Sequence, residues 1–126
     1  MRYTLLCYHD EAAVGALTKE EDDALMADLE VVRHQLSAEG KLGPVARLMP
    51  TTAATTLRES REPMVIDGPF AETKEHLLGF YVLDCASLDD AIDVARRLMV
   101  PRVKAGLKGT FEIRPVSVFY SGDEQK

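Results

Sequence analysis

The stretch that decides the fold runs from Leu77 to Met99 and reads LLGFYVLDCASLDDAIDVARRLM. Its first eight residues are mostly apolar and include two adjacent aromatic residues, which is typical of a buried, central strand. Ser87, with Asp90 three positions later, predicts a helix start, because a serine hydroxyl accepts a hydrogen bond from an early helical N–H group. Apolar residues then recur at helical spacing, so we expect an amphipathic helix, and Pro101 either ends it or lies just beyond its end.

The N-terminal part of the chain shows the same order of strand and helix. Arg2–Tyr8 is rich in Tyr, Thr and Leu and predicts a strand covered on both faces. Thr18 and Glu21 have the spacing of a capping box at a helix start, and Gly40 supplies a C-terminal stop. The apolar stripe of this helix is formed by Leu25, Leu29, Val32 and Leu36.

Shorter extended segments fill the rest of the chain. Leu42–Met49 is either an edge strand or a loop, and Thr55–Ser60 and Met64–Asp67 flank a polar turn, which predicts a β-hairpin. Thr110–Tyr120 predicts the last strand, with an interruption at Pro115. The whole order predicts an α+β fold, namely a ferredoxin-like βαββαβ unit with an extra β-hairpin.

Composition limits the class of protein. The chain has 126 residues, 46% of them hydrophobic and 29% charged, which suits one globular domain over residues 1–120 with a polar C-terminal tail at 121–126. Its net charge of -6 argues against direct nucleic-acid binding, which needs clustered Lys and Arg. There is no apolar run of membrane-spanning length and no signal peptide, so we expect a cytoplasmic protein without membrane contact.

One internal segment resembles a known family signature. Asp67–Glu75, which reads DGPFAETKE, is followed by LGFY at Leu78–Tyr81, and together they resemble the signature of DGPF-domain proteins in the YCII-related superfamily. The resemblance implies a dimeric α+β barrel, in which the sheets of two identical chains pack face to face. The predicted topology agrees, since two helices on one face of an antiparallel sheet leave its other face in need of cover.

What the resemblance implies about function is less specific. Most members of this superfamily are uncharacterised, and many sit beside alternative sigma factors, which points to a regulatory context. Some relatives in the wider superfamily are small enzymes that act on ring compounds with a His-Asp pair as the acid-base device. Two functions therefore stay open: a pocket protein for a small, aromatic or acidic ligand, and a non-enzymatic dimeric interaction module.

Asp67 and His9 are the candidate catalytic residues. Asp67 closes a predicted strand, where its carboxylate could exchange a proton with a ligand, or could instead accept hydrogen bonds from the turn N–H groups at 68–70. His9 follows the first strand, and an imidazole titrates near neutral pH, although position alone favours an exposed loop residue. His34 lies opposite the apolar stripe of its helix and is expected to be solvated.

Five further residues are candidates for ligand binding. Tyr8 and Phe70, together with Phe80 and Tyr81, could line an aromatic pocket or simply form core. Lys74 and Glu75 belong to the signature segment, and His76 directly follows it. Lys74 and Glu75 could orient an acidic ligand or form an ion pair, and His76 is a polar neighbour of both. The sequence contains no CxxC, HExxH, P-loop or dinucleotide fingerprint, so it predicts neither a metal nor a nucleotide cofactor.

Overall fold

A computed structural model describes residues 1–123, and within them six strands, three α-helices and one short 3-10 turn. The strands are β1 Arg2–His9, β2 Leu42–Arg47, β3 Thr55–Arg58, β4 Met64–Asp67, β5 His76–Asp84 and β6 Thr110–Pro115. The helices are α1 Glu11–Gly15, α2 Lys19–Ala38 and α3 Leu88–Lys104, and the 3-10 turn is Thr51–Ala53. The predicted polar tail at 121–126 lies partly outside the described residues.

Four strands form one antiparallel sheet in the order β2-β5-β1-β6. This order, with α2 and α3 as the two crossovers, confirms the predicted ferredoxin-like fold. The strand at Leu77–Asp84 is central, as predicted, and Leu42–Arg47 is an edge strand. The extra hairpin is also confirmed, since β3 and β4 pair only with each other in a separate two-stranded sheet.

The predicted helix caps are present. In α2 the Glu21 backbone N–H donates to Thr18 Oγ1 at 3.1 Å, and the Thr18 N–H donates to the Glu21 carboxylate at 2.9 Å. Gly40 follows the helix with a φ of 73°, a left-handed conformation that suits glycine. Ser87 caps α3 by accepting a hydrogen bond from the Asp90 N–H. No helix within residues 1–123 is both long enough and apolar enough to cross a membrane.

Two predicted element ends are wrong. Pro101 does not end α3, which continues to Lys104 with Pro101 inside its last turn. Proline removes only its own N–H group, and the Pro101 carbonyl still accepts the Ala105 N–H at 3.0 Å. The final strand also ends earlier than expected, at Pro115 rather than Tyr120.

The core lies between the helices and one face of the sheet. Along β1 the side chains of Tyr3, Leu5, Cys7 and His9 are buried, and the intervening residues are half-buried. Both α2 and α3 pack on the face of the sheet that carries these buried side chains. Leu83 of β5 and Val94 and Leu98 of α3 belong to the same buried cluster. In the single chain, β1 is therefore fully covered on one face, and full cover of its other face stays a prediction.

Candidate functional site

A cavity of about 670 Å³ lies between α2 and the helix-facing side of the sheet. This volume is within the range of about 300–1,000 Å³ that is usual for small-molecule sites. One wall is apolar and includes Val14, Leu25, Met26 and Leu29. The other end of the cavity is polar and collects Cys7, His9, Glu11 and Arg102.

The fold brings polar residues from five elements together at this end. His9 is the last residue of β1, and Glu11 begins α1 directly after it. Antiparallel pairing places His76, the first residue of β5, opposite His9, and Thr110, the first residue of β6, opposite Tyr8. Because α3 runs back across the sheet, its last turn, which carries Arg102, reaches the same end.

His9 is the most buried polar side chain of the site. It is only 6% exposed, and its Nε2 atom has no hydrogen-bond partner among residues 1–123. Its ring meets the Phe111 ring edge-on, with 6.2 Å between centroids. Gly109 packs directly against it, so that a Cβ atom at Gly109 would overlap Nε2 and Cδ2 of the imidazole. The interpretation of His9 as an exposed loop residue is therefore wrong, because β1 extends one residue further than predicted.

The surroundings of His9 favour its neutral form. Burial lowers the pKa of His9, and the nearby Arg102 charge lowers it further. The Glu75 carboxylate acts in the opposite direction and raises this pKa. At neutral pH the imidazole therefore carries an unprotonated nitrogen that can accept a proton.

Arg102 lies at the same end of the cavity with neutral hydrogen-bond partners. Its guanidinium donates to the Leu98 carbonyl at 2.6 Å and to the Tyr81 hydroxyl at 2.8 Å. Its Cζ atom lies 5.0 Å from the centroid of the Phe111 ring and 5.5 Å from that of Tyr81, at cation–π distance. In the part of the chain that the structure describes, no carboxylate forms an ion pair with Arg102.

Glu11 and Cys7 complete the polar end. Glu11 accepts hydrogen bonds from the Thr51 N–H at 2.7 Å and the Thr51 hydroxyl at 2.8 Å, which tie α1 to the segment after β2. These bonds, the backbone one first, lower the pKa of Glu11, and His76 adds to this effect. Burial raises the pKa of the Cys7 thiol to about 11, with Arg102 opposing, so Cys7 is a protonated thiol and a poor nucleophile at neutral pH.

Three of the residues singled out in the sequence come together at this end. His76 faces His9 across β1 and β5, and its buried Nδ1 atom has no hydrogen-bond partner among the described residues. Glu75 is half-buried, acts electrostatically on His9 and accepts a hydrogen bond from the Thr110 hydroxyl at 2.9 Å. His9, Glu75 and His76 therefore form one polar group.

The other candidates lie apart from the cavity. Asp67 is exposed at the end of β4 and accepts no hydrogen bond from residues 1–123, so neither a neighbouring histidine nor the predicted turn contacts are seen. Phe70 is 77% exposed, and Lys74 is exposed without an ion pair to any described residue. Tyr8 is half-buried between the buried Cys7 and His9 on the alternating strand.

Of the four aromatic candidates, Phe80 and Tyr81 line the cavity. His34 is exposed, as predicted, with its Nε2 atom 3.5 Å from Glu30. Within residues 1–123, no group of three or more His, Cys, Asp or Glu residues is arranged to hold a metal ion.

Sequence reasoning missed Arg102 and Glu11. Arg102 follows a proline at the end of a helix and resembles a solvated last-turn cation. The signal that could have found it is topological, since a ferredoxin-like fold places the end of α3 beside the end of β1. Glu11 could have been found from its position two residues after a candidate catalytic histidine.

The fold and the site define a class, namely a small ferredoxin-like α+β protein with a polar-ended cavity between its helices and its sheet. A family model described as YCII-related domain matches residues 1–120, and the chain belongs to the YCII-related family. An uncharacterized protein of Rhizobium meliloti (strain 1021) is 53% identical over 124 residues, which cover 98% of each chain. These matches confirm the family that the Asp67–Glu75 segment indicated.

Proposed function

We propose that the protein binds a small organic molecule in the cavity beneath α2 and that His9 exchanges a proton with it. The observation that carries this proposal is the neutral, buried His9 at the polar end of a ligand-sized cavity. Buried titratable groups with shifted pKa values in a cleft are a feature of functional sites. Glu11 and Arg102 line the same end of the cavity, so His9 is not an isolated polar side chain there.

Of the two candidate catalytic residues, Asp67 and His9, this proposal assigns the proton transfer to His9. Asp67 lies on the exposed hairpin, whereas His9 lines the cavity. The ring nitrogen of His9 that does not pack against Gly109 takes a proton from an O–H or C–H group of the ligand, which adds one negative charge to the ligand. Glu75 then stabilises the imidazolium, because it acts on His9 electrostatically, and Arg102 stabilises the ligand anion, because it lines the same cavity.

The test of binding fills the cavity with a larger side chain. Met26 lines the cavity, so Met26→Trp should occupy part of it, whereas Val31→Trp places the same ring at an exposed position of the same helix. Thermal unfolding is measured with a library of small aromatic and aliphatic acids, amides and alcohols. A ligand at 100 times its Kd stabilises a protein by about 2.7 kcal/mol.

We expect at least one compound to stabilise the wild type and Val31→Trp but not Met26→Trp. Equal stabilisation of both variants would place binding outside the cavity. If no compound shifts the unfolding temperature of the wild type, the binding proposal is wrong.

We also propose a homodimer, in which the sheet face away from α2 and α3 packs against a second copy of the chain. This face carries Leu6, Tyr8 and Val82 as half-buried residues, and Leu77 is 37% exposed. Apolar surface of this kind marks interaction sites, and the family resemblance supplies the second copy as the partner. A non-enzymatic interaction module would use the same face.

A cytoplasmic location stays a prediction of the sequence.

Light scattering tests this proposal. Leu6→Lys should convert a dimer into a monomer, because it places a charge in the proposed interface. Val100→Lys, on the exposed side of α3, is the matched control and should leave the mass unchanged. A wild-type mass of one chain at all concentrations would contradict the dimer.

A further inference from the structure

The charges that line the cavity are unequal. Its lining includes four cations, Lys19, Arg33, Arg47 and Arg102, and two carboxylates, Glu11 and Asp22. Asp22 pairs with Arg47 at 3.1 Å, and Lys19 pairs with Asp23 at 3.0 Å. Glu11 accepts two hydrogen bonds from the neutral Thr51 and so keeps its charge. Within residues 1–123, Arg33 and Arg102 have no carboxylate partner, so the cavity retains uncompensated positive charge.

Arg102 is held in place by uncharged groups. A guanidinium has five N–H donors, and its bonds to Leu98 and Tyr81 use two of them. The contacts with the Phe111 and Tyr81 rings fix the plane of the group. A planar guanidinium with unused donors matches a carboxylate, which can accept two parallel hydrogen bonds from it.

The rest of the cavity fits an apolar body. Val14, Leu25 and Leu29 line it without any polar side-chain atom, and Leu25 and Leu29 pack in one apolar cluster with Leu107. Resting on the proposed binding function, we infer that the ligand is a small monocarboxylate with an apolar body, whose carboxylate binds Arg102. Among the described residues, the two lining cations without a carboxylate partner, Arg33 and Arg102, exceed the single charge of Glu11 by one, so one ligand carboxylate suits the site.

The test compares acids with uncharged molecules of nearly the same shape. The probes are benzoate, phenylacetate and hexanoate, each paired with its primary amide, and inorganic phosphate as a small anion without an apolar body. Binding to the full-length wild type is measured by titration calorimetry. We expect at least one acid to bind at least tenfold more tightly than its amide and more tightly than phosphate.

Substitutions at Arg102 test whether this residue causes the preference for an acid over its amide. Arg102→Gln removes the charge and should abolish the preference for the acid, whereas Arg96→Gln removes an exposed charge on the same helix and should leave the preference intact. Arg102→Lys keeps a charge without the planar fork and should retain part of the preference. If Arg102→Gln fails to fold, Arg102→Lys and the acid–amide comparison in the wild type carry the test.

The possible failures are distinguishable. If acids and amides bind the wild type equally, or if phosphate binds best, the carboxylate inference is wrong while binding in the cavity stands. If the acid preference survives in Arg102→Gln, Arg102 is not the carboxylate site. If neither these probes nor any library compound binds, the proposed binding function fails, and this inference fails with it.

Discussion

The two ends of the β1–β5 strand pair use charged residues in opposite ways. At the end where β1 begins, Lys41 lies 2.8 Å from Asp90 and 3.6 Å from Glu39, and Arg97 contacts Glu39 at 2.7 Å. At the other end, His9 has a buried nitrogen without a hydrogen-bond partner and Arg102 has no carboxylate, as far as residues 1–123 show. The same sheet thus has one end of mutually paired charges and one where two histidine nitrogens have no hydrogen-bond partner and Arg102 has no counter-charge among the described residues.

This difference indicates which charged residues support the fold and which polar residues are placed to meet a ligand. Paired charges at the first end satisfy one another and also join α2, β2 and α3, which is a structural role. Unpaired polar groups are costly to bury, so their presence beside a cavity suits groups that meet a ligand. We expect substitutions at the paired end to alter stability alone, and substitutions at the cavity end to alter ligand binding as well.

The largest effect on stability is expected from Gly109→Ala. The new Cβ atom would overlap the His9 ring and the Tyr8 carbonyl oxygen, and such overpacking typically costs about 1–3 kcal/mol. Urea unfolding measures this loss. Gly15→Ala is the control, because a Cβ atom at Gly15 meets nothing within 4 Å. The cost of Gly109→Ala should fall when His9→Ala is also present, and an unchanged cost would show that His9 is not the obstacle.

A smaller effect is expected at the paired end from Lys41→Met. The Lys41 hydrogen bond is the main cause that lowers the pKa of Asp90 below its usual 3.8, and Arg97 and then Lys41 lower that of Glu39 below its usual 4.5. Groups with lowered folded pKa values stabilise the protein above their unfolded pKa, and this stability is lost as the pH falls through the folded value. Lys41→Met should therefore lower stability at neutral pH and weaken its dependence on pH below about 4.5.

Urea unfolding at neutral pH and at about pH 3 measures this change. Lys104→Met is the matched control, because Lys104 forms a more exposed pair with Asp28 at 3.5 Å. Ligand binding should be the same in both variants. A loss of binding in Lys41→Met would contradict the separation between the two ends.

The cavity end has its own dependence on pH, which His9→Gln should remove. The folded pKa of His9 lies below its usual 6.5, so the unfolded chain takes up the proton first. The contribution of His9 to stability is therefore full above pH 6.5 and is lost as the pH falls from 6.5 through the lowered folded value. This loss should be absent in His9→Gln and present in His34→Gln. An NMR titration in which His9 has a pKa above 6.5 would contradict the assignment.

The sequence was a better guide to the fold than to the site. Local signals such as the Thr18 capping box and the apolar run from Leu77 determine elements directly, and their order was enough for the ferredoxin-like topology. The helix end predicted at Pro101 was wrong because a proline near a helix end can be accommodated in the last turn. The cavity depends on residues far apart in the chain, and Arg102 meets His9 only after α3 crosses the sheet. The conspicuous Asp67–Glu75 signature indicated the family, but it contributes only Glu75 to the surroundings of His9.

The smallest effect is expected from Asp67→Asn. An exposed side chain without hydrogen bonds usually tolerates substitution within about 0.5 kcal/mol, and Asp67 lies outside the cavity of its own chain. The variant should therefore unfold like the wild type and bind the same library compounds, as judged by thermal shift. Glu59→Gln, at an exposed position in the turn between β3 and β4, is the control. If Asp67→Asn alone weakens binding, the original prediction for Asp67 is correct and the hairpin reaches a site that one chain does not form. In a dimer, the hairpin of one copy could supply that carboxylate to the other, so Asp67→Asn combined with Leu6→Lys would then give no further loss of binding.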